Sequence, residues 1–329
     1  MTTRLALFDL ITRNNMDATN ASKLWRLAGF EGIPTRALER TRLGLTVVGA
    51  GCAGLGLIFW VAANWNLLGR PQQFVLLQVL AFTPCIGLAT CTRGRAALGL
   101  LALAATGGLF AYFGQTYQTG ADPWQLFIIW AALTLPLAYC VRADAVWSAW
   151  AAIALIGIVL CERAYSGQTW NLRINGGTSM MIATTGAASL ALALRTTGRR
   201  FQGVGPWTCG VTLVLTASWV TSTSLSNLDG WPPAYDYYWF SVAMAVVAGA
   251  LLAHARPFDI FSASVVALCL NILLVGGMAS VFWKGSLDNW IISLLFIGVM
   301  AATLLAGSVK LILSLARTGA LPKHPEEQS

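Results

Sequence analysis

Charge is what this sequence has least of. Asp, Glu, Lys and Arg make up 10% of its 329 residues, against roughly 25% in an ordinary soluble domain, too little to wrap a water-soluble fold of this length. Histidine is scarce as well. The two present, His254 and His324, stand in no metal-ligand spacing and offer no facing imidazoles for a haem. Seven cysteines contain no C-x-x-C pair, so they read as small core residues rather than as ligands or a disulfide framework. No metal and no cofactor is expected. The run Gly49-Ala-Gly51-Cys-Ala-Gly54 spells a dinucleotide fingerprint, but it sits inside an apolar stretch without the preceding strand that fingerprint needs. Its small residues instead let a neighbouring helix come close.

Hydrophobic residues supply 57% of the chain. They gather in runs long enough to cross about 30 Å of hydrocarbon as helices, the geometry that satisfies the backbone without water. The expected fold class is all-α, a polytopic transmembrane helix bundle of about ten spans. These are Gly44 to Ala63, Phe74 to Thr90, Ala96 to Phe113, Trp124 to Val141, Ala145 to Leu160, Thr178 to Leu194, Trp207 to Leu225, Trp239 to Ala253, Phe258 to Val281 and Trp290 to Leu313. The fifth and eighth are shorter than the rest, and a three-residue polar turn, Arg142 to Asp144, separates the fourth from the fifth. Residues 1–43 form an amphipathic helical segment, 44–315 the bundle and 316–329 a tail. The first apolar run lies behind 43 mostly polar residues, so it reads as an anchor and not as a cleavable signal.

Basic residues set the orientation. Of the 21 Lys and Arg, only Arg70, Arg163, Arg173 and Lys284 fall on the side opposite the N-terminus, which places both termini in the cytoplasm by the positive-inside rule. The net charge of +8 thus belongs to topology, and no nucleic-acid partner is implied. Each acidic and basic residue can be put in a loop, a tail or a span end, leaving weakly polar groups such as Gln78, Thr134 and Asn271 inside. Proton pumps need ionisable groups at membrane depth, so that activity is disfavoured. A flippase or a sodium site built from carbonyls and hydroxyls needs none.

The outer loops repeat a composition. Asn64-Trp65-Asn66, Gly114-Gln115-Thr116-Tyr117-Gln118 and Gly167-Gln168-Thr169-Trp170-Asn171 place carboxamides beside aromatic rings, and Asp122 and Trp124 follow the second of them. Carboxamides both donate and accept, and a flat ring covers the apolar face of a sugar. The candidate ligand-binding residues are therefore Asn64, Trp65, Gln115, Tyr117, Gln118, Asp122, Trp124, Gln168 and Trp170, for a glycan or lipid-linked saccharide. Interfacial belts also collect Trp and Tyr, so the same rings serve as membrane anchors in the alternative reading.

The stretch Trp60-Val-Ala-Ala-Asn64-Trp65-Asn66, with Gly114-Gln-Thr-Tyr117-Gln-Thr-Gly120-Ala-Asp122-Pro-Trp124-Gln-Leu-Phe127 and Trp130, resembles a family of bacterial predicted membrane proteins, the domain of unknown function 2157. The similarity runs over about Leu24 to Tyr139. It implies a bacterial inner-membrane location and a short helical N-terminal segment, and it implies a second polytopic membrane protein as partner. No activity comes with it.

Three functions remain open. The chain binds or moves a lipid-linked or glycan envelope ligand at the periplasmic face, or it is a scaffold subunit of a membrane complex. The third is a periplasmic-face glycosyl transferase using a lipid-linked sugar, with Asp122, Glu162, Asp229, Asp236 or Asp288 as its carboxylate; the first outer loop carries Arg70 and no acid, which disfavours it. Topology is directly testable: reporters fused after Arg93, Arg200 and Ser329 are expected to behave as cytoplasmic and those after Gln118, Gly230 and Ser286 as periplasmic. A periplasmic C-terminus would overturn the ten-span arrangement.

Overall fold

The computed structural model describes residues 3–28, 35–90, 94–117, 120, 122–166, 176–197, 203–228, 235–255, 258–284 and 290–320. All regular structure among them is helical. In chain order the helices are α1 (Thr3–Arg13), α2 (Ala18–Leu27), α3 (Thr35–Ala63), α4 (Arg70–Thr90), α5 (Arg95–Tyr117), α6 (Pro123–Val141) and α7 (Asp144–Ser166), then α8 (Gly176–Thr197), α9 (Pro206–Leu228), α10 (Tyr235–His254), α11 (Ile260–Lys284) and α12 (Trp290–Ala320). Each of the ten expected spans coincides with one of α3 to α12, to within two residues at the starts and ends that fall outside a helix. The fifth and eighth are full length, 23 and 20 residues. Among the described residues, eight helices are long and apolar enough to cross a membrane: α4 to α8 and α10 to α12. Helix α9 falls short because nine of its 23 residues are Ser or Thr.

The chain divides into two compact units, Met1–Ala62 and Ala63–Ser329. In the first, Asp17 starts α2: its carboxylate accepts the Ala18 N–H at 2.8 Å and the Thr19 hydroxyl at 2.6 Å. The Thr19 bond and then the Ala18 bond hold the Asp17 carboxyl below its ordinary range. Phe8 and Leu27 on these short helices are exposed.

In the second unit the core is built where helices can approach closely. Trp147 and Trp150 on α7 meet edge to face at 5.5 Å, inside a cluster with Leu103, Ala131, Ala138 and Leu194. Indole N–H groups in an apolar interior need acceptors; Trp150 donates to the Ala131 carbonyl at 2.7 Å and Trp130 to the Leu103 carbonyl at 3.1 Å. Apolar side chains such as Phe82, Leu133, Val247 and Leu295 point outward and are exposed, which suits lipid and would be untenable in water. The membrane-length stretch of α12 buries none of its residues, and α12 packs against α11.

Helix α9 is different. It packs against α7, α8, α10 and α11, and its buried residues include Thr208, Thr212, Thr216, Thr221 and Ser224. Its position is set at one end by Asp144. The first N–H groups of a helix have no partner within it, and the Asp144 carboxylate, reaching across from α7, accepts from Gly205 N at 3.0 Å, Trp207 N at 3.0 Å and Thr208 N at 2.9 Å. The Thr208 hydroxyl also donates toward Asp144 and lies 3.2 Å from the Ser148 hydroxyl. Two glycines permit this approach. A Cβ on Gly203, whose φ is +113°, would meet the Arg142 backbone at 2.5 Å, and one on Gly205 would collide with the Asp144 carboxylate. Arg142 itself is left-handed, φ 56°, and ends α6 so that α7 can begin at Asp144.

An Asp144→Ala variant removes the acceptor of these three N–H groups, of which only the one on Thr208 belongs to a buried residue, and is expected to lose about 1–2 kcal/mol. By contrast Asp122, which starts α6 without a side-chain cap bond, should change stability by no more than about 0.5 kcal/mol when replaced by alanine. Thermal unfolding of both variants in detergent micelles distinguishes the two; equal losses would show that the Asp144 junction contributes nothing special.

Candidate functional site

Of the expected ligand-binding residues, the described ones, Asn64, Trp65, Gln115, Tyr117, Asp122 and Trp124, lie at one end of the second unit, in or beside the α3–α4 and α5–α6 connections. Trp65, in the short 3-10 turn Trp65–Leu67, packs edge to face on Tyr112 at 4.4 Å. Tyr117 stacks with Phe113 at 4.7 Å and Phe74 at 5.7 Å, and Trp124 faces Tyr165 at 5.9 Å. These rings hold one another. Gln115 is exposed, while Asn64 and Asp122 are half-buried. Gln118, Gln168 and Trp170 lie outside the described residues. The carboxamide that the structure does bury here is Gln73, 6% exposed: it donates to the Trp65 carbonyl at 2.6 Å and accepts the Tyr112 hydroxyl at 2.5 Å. Glu162, one turn before the end of α7, is also buried.

A cleft of about 260 Å³ lies among α8, α9, α10 and α11. It is built from the hydroxyl face of α9. In an apolar interior a Ser or Thr hydroxyl is satisfied by the carbonyl one turn back or by a neighbouring helix. Thr212 and Thr221 follow the first course, to Thr208 O at 2.6 Å and Ala217 O at 2.8 Å. Ser224 follows the second, to Ser241 on α10 at 2.7 Å. Thr216 does neither. It is 9% exposed, lines the cleft, and its Oγ1 is buried without a hydrogen-bond partner, a condition that costs about 1–3 kcal/mol.

The walls are mainly small and apolar, Ala188 and Ala248 among them, and the two ends are polar. At one end Thr184 lines the cleft, and its hydroxyl is 3.0 Å from the hydroxyl of fully buried Tyr237, which is 3.1 Å from Thr223. At the other is Arg195, the only charged residue among the described lining residues. Its Nη1 donates to Ser262 at 2.8 Å, and Asp259 lies 3.6 Å away. This is the end that carries the Asp144 junction, opposite the aromatic cluster. None of the described residues expected to bind a ligand lines the cleft. Among the described residues no cluster of three or more His, Cys, Asp or Glu forms.

Residues 9–147 match the model of a family described as predicted membrane protein (DUF2157). The match bears out the resemblance seen over Leu24 to Tyr139 and extends it at both ends. Comparison with curated proteins and with solved structures finds no match. The matched stretch ends at the start of α7, so the helices α8 to α11 that form the cleft lie beyond it.

Sequence reasoning passed over Thr216 and counted Arg195 only as an orienting charge. The available signal was the four-residue spacing of Thr208, Thr212 and Thr216, continued at Ser224, which sets hydroxyls on one helical face. Thr216→Val removes an unpartnered buried hydroxyl and is expected to leave the thermal midpoint unchanged or raise it. Thr208→Val removes a donor to Asp144 and should lower stability by about 1–3 kcal/mol. A destabilised Thr216→Val protein would mean that the hydroxyl is satisfied within the fold.

Proposed function

We propose that the chain is a non-enzymatic membrane protein that binds, or moves between leaflets, an amphipathic lipid-linked ligand whose apolar chain lies in the α8–α11 cleft. The Thr216 hydroxyl carries this reading, because among the described lining residues it alone has a hydroxyl without a hydrogen-bond partner, and a buried polar atom kept at such a cost beside a cleft suits a ligand that supplies its partner. The dimensions agree. From Thr184 to Arg195 on α8 is about 16 Å at 1.5 Å per residue, close to half of the roughly 30 Å hydrocarbon thickness. The cleft therefore has the length of one leaflet, with its charged end at headgroup depth.

The expected setting is a bacterial inner membrane with both termini cytoplasmic. For a ligand that reaches the periplasmic side, Gln115 and Asp122, together with Gln118, Gln168 and Trp170, offer contacts to a saccharide. The scaffold reading draws on α12, whose uncovered length suits a second membrane protein as well as it suits lipid.

Native mass spectrometry of the purified full chain tests the proposal. A lipid is expected to remain bound, to be lost from Ala188→Trp, which fills the cleft, and to persist in Leu305→Trp on the exposed face of α12. Retention of the lipid by folded Ala188→Trp at wild-type abundance would remove the cleft as its site and leave the scaffold.

A further inference from the structure

We infer that the cleft selects lipids bearing a phosphate headgroup, and that Arg195 reads the phosphate by exchanging it for Asp259. The inference rests on the reading of the cleft as a lipid-chain site. An amphipath lying along the cleft with its chain toward Thr184 brings its headgroup to Arg195, the one charged group among the described lining residues.

The guanidinium is incompletely used. It has five N–H donors in a planar fork, of which Nη1 is engaged by the Ser262 hydroxyl at 2.8 Å. The Asp259 oxygen at 3.6 Å is beyond hydrogen-bonding range. That carboxylate is turned to its own helix instead: it accepts the Ser262 hydroxyl at 2.5 Å and the Phe261 N–H at 3.2 Å, at the start of α11. With the Asp259 side chain 45% exposed, the ion pair is weak and open to exchange. Asp144, the other acid at this end, is taken up by the first N–H groups of α9. The Arg195 side chain is itself only 27% exposed, so a phosphate meeting it sits in a partly dehydrated setting where a two-point, charge-assisted contact is strong.

The chain length of the site and its charge together specify the ligand. A free phosphate meets Arg195 but leaves the apolar walls empty, and an uncharged lipid fills the walls but leaves the guanidinium against its headgroup. A phosphorylated lipid does both.

The test uses the full-length protein in uncharged detergent micelles, titrated with a lysophosphatidic acid, with a monoacylglycerol of the same chain, and with inorganic phosphate. The lysophosphatidic acid is expected to bind roughly tenfold tighter than the monoacylglycerol, with the preference shrinking as salt rises, and inorganic phosphate neither to bind nor to displace it at millimolar concentration. Arg195→Gln should equalise the two lipids, Arg195→Lys should restore part of the preference, and Asp259→Asn should strengthen lysophosphatidic acid binding, a gain that misfolding cannot produce. Equal binding of the two lipids to the wild-type protein, with both lost in Ala188→Trp, would overturn the phosphate inference while leaving the cleft reading intact. Binding of neither lipid, or no effect of Ala188→Trp on either, would overturn both. Displacement of the lipid by inorganic phosphate would show an anion site independent of a lipid chain and would also overturn the inference.

Discussion

Within the second unit, the carboxylate of Asp144 is the junction on which the rest of the bundle depends. The first N–H groups of a helix have no acceptor of their own, and at the start of α9 they range from exposed Trp207 to buried Thr208. Helix α7 supplies the missing acceptor to α9 at Gly205, Trp207 and Thr208. The contact fixes the depth at which α9 starts, and with it the height of each hydroxyl along its length. Ser224 then meets Ser241, and Thr223 meets the Tyr237 hydroxyl, on α10. The Thr216 hydroxyl is left between these satisfied groups, facing no partner.

The apolar runs were legible because they answer to one length, the thickness of the hydrocarbon, and each falls on a helix, though some helices run several residues further, as α3 does at its start and α12 at its end. The polar contacts were not, because they join residues far apart in the chain. Gln73 bonds Tyr112 across 39 positions and Arg195 bonds Ser262 across 67, and no local pattern marks either pair. Helix α9 lies between these cases. Its threonines were in plain view at a spacing of four, yet a hydropathy reading treats a hydroxyl as a slight loss of apolarity and does not ask which neighbour it faces. The aromatic residues show a related limit: Tyr117 and Trp65 stand where the composition of the loops places them, but their rings pack on Phe113 and Tyr112, a use that composition alone does not distinguish from ligand contact.

The two ends of the second unit consequently differ in chemistry. One is held by stacked rings around the buried Gln73 carboxamide, which is hydrogen-bonded through both its nitrogen and its oxygen. The other is held by charge: Asp144 on the start of α9, and Arg195 with Ser262 and Asp259 between α8 and α11. The first arrangement is rigid and apolar, the second ionic and partly wet. The cleft reaches the second at Arg195, so on the proposed reading a lipid would be distinguished there by a few exchangeable polar contacts and, along the walls, by shape.

The Asp144 junction also bears on how such a chain can be reassembled by recombination. Asp144 lies within the stretch 9–147 that matches the family model, whereas Gly205 and Thr208 lie outside it. A new C-terminal half joined after α7 inherits a half-buried carboxylate that was shaped for a different partner. Unless the incoming segment presents its own run of N–H groups at that height, with small residues ahead of it to allow the approach, the carboxylate loses the hydrogen bonds that fix the start of α9. The boundary of sequence similarity is therefore a poor place to cut and splice: the workable joint includes the loop before α9, and the two halves are constrained to change together.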